Sequence, residues 1–277
     1  RAWRKGRRIG GKAYMVKLQD VMQAMERIAP RRLAEEWDNP GLLVGSPHDE
    51  VRKILVALDV REETVERAIE DGCDLIVAHH PLIFRGLKAV RTDDVIGRKI
   101  ARLIKADVAV FAAHTNLDST VGGVNDVLAE RLGLKGVVPL AESAADGEPG
   151  LGRIGSLDAE FSLDDFAACV KEKLGLSSMR IVRAGNRRIS RVALCGGSGA
   201  EFVGRAAAKG ADVYVTGDVK YHDAERAIGL GIHVLDAGHF ATEQPIVARL
   251  AERLEKELGD GVEVVAETKS SDFFQNL

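Results

Sequence analysis

Cysteine is scarce in this chain: Cys73, Cys169 and Cys195 are the only three in 277 residues, far apart and with no Cys-x-x-Cys spacing. That excludes a disulfide framework and fits reduced thiols in a cytoplasmic protein, each reading as a small core residue. Long apolar runs are also missing. No stretch reaches the roughly 20 residues that a membrane-spanning helix needs, so a soluble protein is expected. Charge of one sign is missing too: the formal net charge is −3 and the predicted pI is near 6.2. Such a balance offers no global attraction to nucleic acid or to an anionic membrane, and any anionic ligand must be met locally. Finally, there is no Gly-x-x-x-x-Gly-Lys-Ser/Thr string, so a nucleotide would be held by other means than a phosphate loop.

What is present is apolar content of 45%, enough for one large core or two ordinary ones, and length favours two domains. Residues 1–14 are basic without a following apolar segment. They read as a non-native or disordered extension, with Met15 as the true start. From there to Pro30 the spacing of Val21, Met22, Met25 and Ile28 predicts an amphipathic helix. A turn at Asp38-Asn39-Pro40-Gly41 precedes a short strand at 42–44. The runs 54–60, 75–78 and 108–113 then alternate with helical patterns at 62–71 and 93–105. Continuous apolar strands separated by amphipathic helices indicate an α/β fold with mixed, largely parallel sheets covered on both faces. The stretch 140–152, rich in Ala, Glu, Ser, Asp, Gly and Pro, reads as a linker between an N-terminal half, 15–140, and a C-terminal half, 153–277. In the second half Ser162 reads as the N-cap of a helix to Leu174, and strands are expected at 180–183, 192–195, 213–215, 234–236 and 262–266.

The chemistry-bearing residues collect at expected strand ends, where open α/β sheets hold their ligands. His79 and His80 follow the first such run, His114 and Asp118 the second, and His239 follows the run 234–236. Glu243 lies four residues after His239. On a helix this places an imidazole and a carboxylate on one face, about 5–6 Å apart at Cβ. Each group alone has an ordinary reading, as a strand-end cap or a surface ion pair. Together, three histidines and two carboxylates exceed what one tetrahedral zinc needs and suit two ions roughly 3.5–4 Å apart, with Asp118 and Glu243 as candidate bridges. Imidazole and carboxylate without thiolate admit zinc, iron, manganese, cobalt or nickel.

Another strand-end loop, Thr216 to His222, offers His222 as a proton shuttle and Lys220 as a contact for an anionic substrate. It reads equally well as a helix N-terminus capped by Asp218. The Gly196-Gly197-Ser198-Gly199 loop is a weaker candidate for phosphate contact through backbone N–H groups. His48 and His233 have no partner pattern.

Four strings, Ala78–Phe84, His114–Asp118, Thr216–His222 and Gly238–Glu243, closely resemble the GTP cyclohydrolase 1 type 2 family, also called Nif-three-like. They occur in the expected order, and the resemblance runs from about Met15 to the C-terminus. It implies a dinuclear centre held by His79, His80, Asp118, His239 and Glu243 in a cleft between two α/β halves, and a ring-shaped homohexamer. It also implies the compact form of the family, without a central inserted domain.

The expected activity is hydrolysis by a metal-bound hydroxide, because a divalent ion lowers the pKa of water from about 15.7 to about 7. With GTP or a related small molecule, attack at carbon 8 would open the purine imidazole ring, with His114 or His222 moving protons. The alternatives are a metal-dependent hydrolase of another substrate and a carrier or adaptor that holds metal without turnover. The disposition of His114 and His222 around the ligands separates enzyme from carrier.

Overall fold

The structure is a computed structural model that describes residues 15–142 and 148–275. The basic extension at 1–14 lies outside the described residues. The first half opens with β1 (Val16–Lys17) and α1 (Leu18–Ile28), then β2 (Gly41–Val44), β3 (Glu50–Val51) and β4 (Lys53–Ala57). Next come α2 (Glu62–Glu70), β5 (Leu75–Ala78), α3 (Val95–Lys105), β6 (Ala109–Ala112) and the short α4 (Thr115–Ser119). Helix α5 (Val124–Leu132) leads to β7 (Lys135–Pro139), β8 (Arg153–Phe161), α6 (Leu163–Leu174), β9 (Arg180–Val182) and β10 (Ile189–Leu194). The chain continues through α7 (Val203–Ala208), β11 (Val213–Thr216), α8 (Tyr221–Leu230), β12 (His233–Asp236), α9 (His239–Glu243), α10 (Ile246–Leu258) and β13 (Glu263–Ala266).

Two large sheets result. The first has the order β13-β4-β5-β6-β2, parallel except for β2 at its edge. The second has the order β7-β8-β10-β11-β12-β9, with β10, β11 and β12 parallel and antiparallel strands outside them. Alternation along buried strands divides the side chains between two faces. On the first sheet Ile54, Val56, Leu75, Val77 and Phe111 pack with α1 and α10, while Leu55, Ile76 and Val110 pack with α2 and α3. Each large side chain so buried contributes about 1.5–3 kcal/mol. The second sheet repeats the arrangement, with α5 and α6 on one face and α7 and α8 on the other.

Local signals set the element ends. Asp94 accepts from the N–H groups of Ile96 and Gly97 and starts α3, slightly later than the apolar periodicity implied. Ser162 caps α6 as expected, accepting from Asp165 N–H. Within the stretch 140–152, residues 140–142 and 148–152 close a hairpin between β7 and β8: Leu140 N–H donates to Gly152 O at 3.1 Å and Ala141 N–H to Leu151 O at 2.9 Å. A composition of small, polar and glycine residues marks a hairpin loop as readily as a linker. The chain crosses to the second sheet earlier, through α5, and returns through α10 so that β13 pairs parallel with β4. Among the described residues, no helix is long and apolar enough to cross a membrane.

Buried Arg153, at the start of β8, ties the two layers together. It is bonded to Asp126 and donates to the carbonyls of Ser119, Thr120, Gly150 and Gly152. A buried guanidinium is tolerable only when its donors are satisfied in this way. Its contacts fix the end of α4, the helix that carries Asp118.

Candidate metal centre

The histidine pair extends the β5 ladder: His79 N–H donates to Ala57 O at 3.1 Å and His80 N–H to Leu58 O at 2.9 Å. One strand over, β6 ends at Ala112 and His114 is the N-cap of α4, which brings Asp118 round by one turn. From the second sheet, β12 ends at Asp236 and Gly238, at φ +82°, turns the chain into α9 with His239 and Glu243 at its two ends. That helix spans only five residues, and Pro245 opens α10 instead of continuing it. The carboxyl ends of strands from both sheets therefore meet in one place. Two three-residue sets of potential donors, His80, His239, Glu243 and His79, Asp118, Glu243, share Glu243, and a third joins His79, His80 and His114.

The imidazoles are oriented by acceptors on their far side. His79 Nδ1 bonds to the Ala113 carbonyl at 2.9 Å, His80 Nδ1 to Asp59 Oδ1 at 2.8 Å, His114 Nδ1 to Asp38 Oδ1 at 2.8 Å, and His239 Nδ1 to Asp218 Oδ2 at 2.8 Å. A carbonyl or carboxylate can only accept, so each Nδ1 carries the proton. In the neutral ring the lone pair is then on Nε2, the tautomer that a metal ligand requires.

The inward atoms are short of partners. His79 Nε2, Asp118 Oδ1 and Glu243 Oε2 are buried with no hydrogen-bond partner among the described residues. His79 Nε2 lies 3.5 Å from Asp118 Oδ1 and 3.7 Å from Glu243 Oε1. His80 Nε2 and His239 Nε2 lie 2.9 and 3.0 Å from Glu243 Oε2, near enough for ion pairs but not aligned as hydrogen bonds. Bonds of about 2.0–2.2 Å to a shared ion put neighbouring ligand atoms roughly 3.0–3.5 Å apart, close to the separations seen here. The donor set fits divalent metal.

The carboxylates set the charge of the imidazoles. Burial works against a charged His80, but Asp59 and Glu243 beside it raise its pKa to about 10. His239 is likewise raised to about 9, with Glu243 and Asp218 overcoming burial. Burial raises Asp118, with His79 opposing. Glu243 is held well below the usual carboxylate range because His79, His239 and His80 outweigh its own burial. Asp38, which burial alone would raise, is brought down to about 2 by His114 and Thr115, and so remains an ionised acceptor.

All five expected ligands, with His114, thus lie together. His222 does not join them. It is on the outer face of α8 with its side chain 87% exposed, against Glu225 Oε2 at 3.1 Å. Lys220 is exposed at the N-cap of that helix, which Asp223 caps, so Asp218 is released to serve His239. The glycine loop is not free for phosphate either: Gly196, Gly197 and Gly199 donate their N–H groups to Asn125, Thr242 and Thr216 side chains. A Cβ at Gly197, where φ is +65°, would come 2.1 Å from Glu243 Oε1, so this glycine lets the β10 loop close on the donors.

Sequence reasoning missed Asp38, Asp59 and Asp218. Asp59 stands just beyond the end of β4 and was open to the same strand-end argument as the histidines. Asp38 was hidden in a turn signal, and Asp218 in a cap signal.

The Duf34/NIF3 (NGG1p interacting factor 3) family model matches residues 16–272. A GTP cyclohydrolase 1 type 2 homolog of Clostridium perfringens is 39% identical over 260 residues, covering 94% of this chain and 99% of the relative. One from Lactococcus lactis is 36% identical, covering 95% and 100%. The crystal structure of a Bacillus cereus protein related to NIF3 superposes with a TM-score of 0.89 at 30% identity, covering 95% of this chain and all of that one.

Proposed function

The chain belongs to the Duf34/NIF3 family, and from that premise we propose that it is a dinuclear metal-dependent hydrolase acting on GTP or a related ring substrate. One observation carries the reading: His79 Nε2 and Asp118 Oδ1, buried without hydrogen-bond partners, converge on the Glu243 carboxylate together with the Nε2 atoms of His80 and His239. Such atoms are costly to bury unless something satisfies them.

His79, His80, Asp118, His239 and Glu243 would hold two divalent ions. Glu243 would serve both ions, since its Oε1 faces His79 while its Oε2 faces His80 and His239. Divalent ions there supply an acidified water and polarise the bond under attack. His114 lies beside His79 and His80 with Asp38 fixing its ring, so it is the group placed to move a proton to or from the substrate. Its position favours turnover over simple storage of metal.

Purified protein loaded with zinc, iron, manganese, cobalt or nickel is incubated with GTP and the formamidopyrimidine product sought by chromatography. Product with at least one ion, and none after Glu243→Ala, is expected. Absence of product with every ion removes GTP as substrate. The ring-shaped homohexamer belongs to the same reading and is checked by sedimentation.

A further inference from the structure

Two large aromatic side chains stand exposed beside the donors. Trp37 is 58% exposed and Phe84 is 41% exposed, and their ring centroids lie 5.8 Å apart. Each is 6.1 Å from the His114 ring, both edge-on to it. Neither position is incidental to the centre. Trp37 precedes Asp38, which orients His114, and Phe84 lies on the loop that leaves His80. Asn39 clamps the two loops together, donating to Ile83 O at 2.6 Å. Burying such rings is normally worth a few kcal/mol, so two of them left in solvent at the edge of a donor cluster call for an occupant.

We propose that Trp37 and Phe84 form the wall that holds a planar heteroaromatic ring of the purine class against the His79–His80–His114 side of the centre. This rests on the hydrolase reading and names how its substrate is held. A flat ring stacks on an indole or phenyl face whatever its substituents, and an edge-on imidazole closes the corner. Arg85 and Lys88, on the same exposed loop as Phe84, have no ion-pair partner among the described residues and suit an anionic group on that ligand.

The test uses the 277-residue chain carrying Trp3→Phe, which leaves Trp37 as its sole tryptophan, since this sequence has two. Guanosine, GTP and ribose 5-phosphate are titrated by tryptophan fluorescence and equilibrium dialysis, with metal content and sedimentation measured on the same samples. Guanosine and GTP are expected to quench Trp37. Trp37→Leu and Phe84→Leu should each weaken guanosine binding at least tenfold, with ribose 5-phosphate binding, metal content and sedimentation unchanged. Trp37→Phe, which keeps a ring and the fold, should restore most of the affinity. The proposal is overturned if guanosine does not bind, if both leucine variants bind it like the parent, or if they change only self-association, which makes the corner an interface between copies. Loss of metal from the parent protein sinks the hydrolase reading instead, and ring binding is read separately from it.

Discussion

His80 Nε2 and His239 Nε2 stand 3.2 Å apart, although 159 residues and two sheets separate them in the chain. With both Nδ1 atoms protonated against Asp59 and Asp218, two neutral rings would set lone pair against lone pair. Only positive charge at these atoms relieves the clash, either protons on the rings facing the Glu243 carboxylate or a metal ion. The contact joins the first sheet to the second, so the same atoms that would bind metal also hold the two layers in register.

Metal stoichiometry is the most direct check. Protein purified without chelator should carry two ions per chain by elemental analysis, as expected of a paired site. Asp118→Ala should lower the count, and Glu243→Ala should lower it further because both three-residue sets use Glu243. Folded wild type that takes up no zinc, iron, manganese, cobalt or nickel would sink the centre.

The acceptors behind the rings make a finer prediction. Asp59→Asn and Asp218→Asn keep the size of the side chain but remove the charge that fixes the Nδ1–H tautomer. Each should weaken metal binding roughly 10–100-fold with little change in fold. Competition against a chromophoric chelator measures this. Affinities equal to wild type in both variants would show that the carboxylates do not tune the ligands.

Much of this centre was legible from the sequence for a simple reason. Buried parallel strands such as Leu75–Ala78 announce themselves as apolar runs, and the residues just past a strand end are where such a fold keeps its ligands. His79, His80, His114 and Asp118 obey that rule. Orientation was not legible. His222 and Asp218 lie in one string, yet Asp218, with φ +54°, turns its carboxylate to His239 while the His222 imidazole on α8 faces solvent. The return of β13 to the first sheet was equally hidden, since pairing partners of a short apolar strand are set by packing across the whole chain.

Turnover should separate the two histidines read as proton carriers. His114→Ala should lower kcat by about 100-fold or more, the usual scale for general acid–base help, while His222→Ala should keep most of the activity. Steady-state kinetics on metal-matched samples decides it. Equal losses would mean that the exposed position of His222 is not its working position.

Gly197→Ala tests how tightly the β10 loop closes on the donors. The added Cβ would meet Glu243 Oε1 at 2.1 Å, and alanine at φ +65° costs about 1–2 kcal/mol in the backbone alone. Metal content should fall and the thermal midpoint should drop by roughly 2–8 °C. Calorimetry with metal analysis reads both. Retention of full metal content would show that Glu243 can shift without losing its role.

Metal loading should expel protons, and the raised imidazoles set the sign. In the metal-free protein His80 titrates at about 10 and His239 at about 9, so both are charged at neutral pH, whereas the unfolded chain has histidines near 6.5. Their contribution to metal-free stability is fully present below about pH 6.5 and is lost as pH rises through 9 to 10. Metal binding needs both rings neutral, so ions and protons compete and affinity should weaken as pH falls from about 9 towards about 6. Calorimetric titration with zinc at neutral pH in two buffers of different ionisation enthalpy should give different apparent heats, corresponding to more than one proton released per chain. Identical heats in both buffers would mean that His80 and His239 were already neutral, and that Glu243 does not hold protons on them in the absence of metal.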